Sequence, residues 1–165
     1  VEQGVRDLAD FLHMLGNPVG VISAGNSQSL ERFLDLNYPL SILDVQRTMA
    51  VCAEDGAAAV ILALSEETLN DDALQSVNVD VLGCDDKGLS EAEIVKSVAR
   101  FGCTVGKQTH IAGRTQESDA LAAQATEAYG QTDSSALSLS IAMVLAAGVR
   151  KANIKSALRV SRDLN

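Results

Sequence analysis

The chain has 165 residues, 47% of them hydrophobic and only 3% aromatic, with no Trp. That length can bury a full core without help from a metal or a disulfide, packed from Val, Ile, Leu and Ala as in parallel sheets covered by helices. A formal net charge of −9 argues against broad binding to nucleic acid or anionic membranes.

In chain order, the first helix is expected over Val5–Leu15, where Val5, Leu8, Phe11, Leu12 and Leu15 share one face and Gly16-Asn17 supply the stop. Val19–Ile22 forms the first strand. The loop Ser23-Ala24-Gly25-Asn26-Ser27 follows, then a second helix with Leu30, Phe33 and Leu34 inward. Leu40–Leu43 forms a second strand ending at Asp44, Val45–Glu54 a helix, and Ala57–Leu64 an apolar run suited to a central strand buried on both faces. Glu66–Ser76 is expected to be helical, with acids in the first turn where the helix dipole favours them. Val79–Gly83 makes the fourth strand, and Ser90-Glu91-Ala92-Glu93 is a capping box opening a helix to about Phe101. A weak fifth strand lies in Cys103–Val105 or Thr109–Ala112, and helices over Gln116–Tyr129, Ser134–Ala147 and Lys151–Arg162 complete the chain.

Strands separated by helical stretches imply right-handed βαβ crossovers. The expected fold is therefore a three-layer α/β domain spanning 1–165, with a mostly parallel, Rossmann-like or flavodoxin-like sheet of four to five strands. Residues 1–112 would hold the sheet core and 113–165 a helical C-terminal extension.

Cys52, Cys84 and Cys103 form no CxxC, and with His13 and His110 they give no zinc spacing. Free thiols in a reducing cytoplasm are expected, and no metal. Val1–Asp10 lack the apolar core of a signal peptide. Ser134–Val149 is uncharged but too short and too polar to span a bilayer. Leu137, Leu139, Ile141, Met143, Val144 and Leu145 make it apolar nearly all round, which suggests burial against a second copy in a homo-oligomer.

Ligands of open parallel sheets bind at the carboxyl ends of the strands. That rule selects Asp44, Ser65-Glu66, Asp85-Asp86-Lys87 and, as the most suggestive, Ser23, Ala24, Gly25, Asn26 and Ser27, whose amides and following helix N-terminus would face an anion. Asp44, nineteen residues past Gly25, could take a ribose's hydroxyls. The glycines do not spell GxGxxG, and Ser, Asn and Asp44 could equally cap helices. The leading expectation is a small anionic ligand, a nucleotide or sugar phosphate, bound by a regulatory or accessory domain; no cofactor is implied. The alternative is an enzyme using the same cleft, with Asp85, Asp86 or His110 as acid–base or metal groups, although Asp85-Asp86-Lys87-Gly88 is also good turn chemistry. A third reading is an interaction or DNA-binding module. Residues 150–165 carry a net +4, leaving −13 on the rest, and Lys151, Lys155, Arg159 and Arg162 form a basic stripe at helical spacing. A turn at Gly148 ahead of them gives a helix–turn–helix outline, which fits any antiparallel helical hairpin as well.

Overall fold

Val5, Leu8 and Phe11 form the buried face of α1, Glu2–Met14. The helix stops where expected: Gly16 takes a left-handed φ of 83°, and the amides of Gly16 and Asn17 bond back to the carbonyls of His13 and Leu12. The computed structural model to which these elements belong describes residues 2–84, 88–129 and 135–148.

β1, Val19–Ile22, is buried along its length. It pairs in parallel with β4, Ala59–Leu62, in the register Val19↔Ala59 to Ile22↔Leu62. Successive side chains of a strand point to opposite faces, and the two strands divide accordingly. Val19, Val21, Ile61 and Ala63 join α1 in one core, while Ile22, Val60 and Leu62 belong to another. Between them Gly20 lies so close to Cys52 that a Cβ there would collide with its Sγ.

The segment after β1 departs from expectation. Residues 27–34 are not a helix but a hairpin: β2, Ser27–Ser29, runs antiparallel to β1, and β3, Arg32–Leu34, antiparallel to β2. Leu30, Phe33 and Leu34 do match a helical face, but Ser27 and Ser29 are buried with Gln28 less so, and β1 offers a free edge to the alternating segment. Leu30, at φ 56°, makes the turn with Glu31. The four-stranded sheet, in the order β3-β2-β1-β4, is therefore mixed rather than mostly parallel.

α2, Ile42–Glu54, starts earlier than expected because Ser41 and Asp44 form a capping box. Of the expected strand Leu40–Leu43, only Leu40 pairs, as an isolated bridge to Leu69. Glu66–Ser76 forms turns instead of a helix: Leu69 is tied into that bridge, and Asp72 and Ser76 take φ of 59° and 67°. β5, Val81–Gly83, pairs in parallel with β6, His110–Ala112. Asn78 adds a parallel bridge to Thr104, so both candidate positions for a fifth strand are occupied. Between them lies α3, Glu91–Val98, opened by the Ser90–Glu93 capping box and continued by a 3-10 turn at Ala99–Phe101.

α4, Gln116–Tyr129, and α5, Ser135–Ala146, lie where the periodicity puts them. They join α1 on one side: Leu121, Ala122, Ile141 and Val144 share its core, whereas Val45 of α2 and Ile94 and Val98 of α3 share the other. α5 packs against α1, α4, β5 and β6, and Met143 fills the space that a side chain on Gly83 would need. These contacts bury Ile141, Ala142 and Val144 and leave Leu137, Leu139, Met143 and Leu145 half-buried. Among the described residues, no helix is long and apolar enough to cross a membrane.

Candidate functional site

β1 and β4 end together, and the loops that leave them are joined by hydroxyls. The Ser27 hydroxyl accepts the Ser23 N–H at 3.2 Å and donates to the Ser23 carbonyl at 3.3 Å. It also accepts the Tyr38 phenol at 2.6 Å. From the other loop, Thr68 Oγ1 accepts the Ala24 N–H at 3.0 Å and the Ser65 hydroxyl at 3.0 Å. The Thr68 carbonyl accepts the Leu40 N–H at 2.8 Å. One residue therefore connects the loop after β1 with the approach to α2.

These contacts leave little of the Ser23–Ser27 backbone open. The Asn26 N–H bonds to the Ser23 carbonyl at 3.0 Å, so the amides of Ser23, Ala24 and Asn26 are engaged, and Ser27 already belongs to the β2–β3 ladder. Gly25 carries the turn at φ 74°, and the Gln28 side-chain amide donates to Asn26 Oδ1 at 3.1 Å. The loop leads into β2, so no helix N-terminus stands behind it.

One group stands apart. Ser23 is 2% exposed; its N–H and carbonyl are paired, but its own Oγ bonds to no described residue. Buried hydroxyls are almost always paired, and an unpaired one loses its hydration without return.

Asp44 lies on the same side, in the first turn of α2. Its Oδ2 accepts the Ser41 N–H at 3.2 Å and the Ser41 hydroxyl at 2.9 Å. Those bonds hold its carboxyl below the usual range. Its Oδ1 accepts from no described residue and remains able to take a hydroxyl.

Of the other candidates, only His110 lies among the described residues. His110 is exposed at the amino end of β6. Cys84, which leads to Asp85 and Asp86, follows the carboxyl end of β5, whose partner at its amino end is His110. Asp85, Asp86, Lys151, Lys155, Arg159 and Arg162 lie outside the described residues. No cluster of three His, Cys, Asp or Glu side chains suited to a metal occurs among the described residues. Cys52, Cys84 and Cys103 are free thiols, and burial pushes the thiols of Cys52 and Cys103 up.

Ser65 is among the strand-end residues that the sequence offers, whereas nothing in it singles out Tyr38 or Thr68. The spacing Ser65-Glu66-Glu67-Thr68, a hydroxyl pair three apart after an apolar strand, is the signal that could have found Thr68. Tyr38 reaches Ser27 from a loop eleven residues away and has none. No family model, no curated protein and no solved structure matches the chain.

Proposed function

We propose that the chain binds a small anionic ligand, a nucleotide or sugar phosphate, at the carboxyl ends of β1 and β4. It would act there as a regulatory or accessory domain. The observation that carries the reading is the buried hydroxyl of Ser23 at the end of a parallel strand, unpaired among the described residues. In this class of sheet that end is where ligands enter. Asp44 Oδ1 supplies a second acceptor on the same side. The reading places the parallel pair β1–β4 and the separate parallel pair β5–β6 in one Rossmann-like, three-layer arrangement, with the β2–β3 hairpin as an antiparallel edge. It is supported by the two cores that divide the helices between opposite faces. Three free thiols suit a reducing cytoplasm.

Thermal unfolding against nucleotides and sugar phosphates tests the proposal. A ligand at about 100 times its Kd stabilises by about 2.7 kcal/mol, or roughly 5–10 °C for a chain of this size. The shift should fall by about half in Ser23→Ala, as a tenfold loss of affinity requires. No shift from any member of the panel, or a shift unchanged in Ser23→Ala, overturns it.

A further inference from the structure

Resting on that reading, we infer that the part of the ligand taken up at Ser23 is a neutral hydroxyl, with any phosphate left facing solvent. Phosphate-binding loops present several free amides to one anion, commonly with a helix N-terminus behind them. Here the amides of Ser23, Ala24 and Asn26 are committed to Ser27 Oγ, Thr68 Oγ1 and the Ser23 carbonyl. β2, not a helix, follows the loop. The helix that does begin on this side, α2, has its first turn occupied by the carboxylate of Asp44, which repels an incoming anion.

Burial points the same way. A charged phosphate brought to a side chain as enclosed as Ser23 would lose its hydration, a penalty that a paired cation or several free donors must offset. Arg100, whose guanidinium reaches Glu66 beside Ser65, is already held by Glu66 and Asp71. A hydroxyl has the opposite fit. It can donate one hydrogen bond and accept others, so it satisfies the Ser23 hydroxyl in either direction, and a neighbouring hydroxyl of a diol can donate to Asp44 Oδ1.

Thermal shift titrations of the whole chain with ribose, ribose 5-phosphate, adenosine, adenosine monophosphate and inorganic phosphate decide the matter. The expected result is that an unphosphorylated probe binds within about threefold of its phosphate ester, and that inorganic phosphate neither shifts the transition nor competes. Ser23→Ala should weaken both members of that pair about tenfold, and Asp44→Asn should weaken them to a similar degree. Binding by the phosphate esters alone, or competition by inorganic phosphate, overturns the inference and leaves ligand binding at this site standing. Silence from all five probes overturns the inference and counts against the parent reading, which nucleotides and sugar phosphates outside this set then decide.

Discussion

The buried hydroxyls between α4 and α5 and those at the ends of β1 and β4 are built differently. Between α4 and α5, Ser118 Oγ stands 2.9 Å from Ser138 Oγ and 3.0 Å from the Thr115 carbonyl, and Ser138 donates to Asp119 Oδ1 at 2.6 Å. Arg114 closes the group with a 3.0 Å bond to the same carboxylate oxygen. Every hydroxyl there has a partner, and the result joins two helices. At the ends of β1 and β4 the network is as dense but leaves Ser23 Oγ without one among the described residues. A polar cluster that satisfies itself has a structural role, whereas one that leaves a single donor buried has capacity for something else.

The contrast can be broken first where it should cost most. Ser138→Ala removes the link between Ser118 and Asp119, and urea denaturation should show a loss of about 1–3 kcal/mol. A neutral result would mean that the helix cluster is not structural. Next comes Tyr38→Phe, which deletes one bond to Ser27 and should lower stability by about 0.5–1.5 kcal/mol in the same assay.

Acid titration probes the carboxylates that hold the loops. Asp44 is depressed by bonds from Ser41, Asp55 by Ser29 and then Arg32, and Glu93 by Ser90. A carboxyl lowered on folding stabilises above its unfolded value and loses that contribution as pH falls through the folded one. Unfolding midpoints should therefore hold above the ordinary values of 3.8 and 4.5 and fall below them, and Asp44→Asn should flatten part of that slope. The smallest effect belongs to Ser23→Ala. With no bond to lose, its unfolding midpoint should be unchanged or raised by up to about 1 kcal/mol in equivalent stability; a drop beyond that would show that the hydroxyl is paired after all.

The local signals in the sequence proved the most readable. Ser90 and Glu93 cap their helix through contacts three residues apart, so the motif contains everything that makes the structure. The same holds for Gly16-Asn17 at the end of α1. Asp44 shows the limit of such signals: Ser41-x-x-Asp44 is a capping pair, yet the apolar run Leu40–Leu43 beside it resembles a strand end. Residues 27–34 fit a helix template because that template needs only their own side chains, whereas β2 exists through its pairing with β1. The hydroxyl network was illegible for the same reason. Thr68 and Ala24 are 44 residues apart, and no local spacing links them.

Thr68 also sets how this region can move. Its hydroxyl holds the amide of Ala24 and its carbonyl holds the amide of Leu40, so displacing the residue releases both protons to solvent. In native-state hydrogen exchange the two amides should therefore exchange through one opening event, with matched protection that Thr68→Val lowers at Ala24 first.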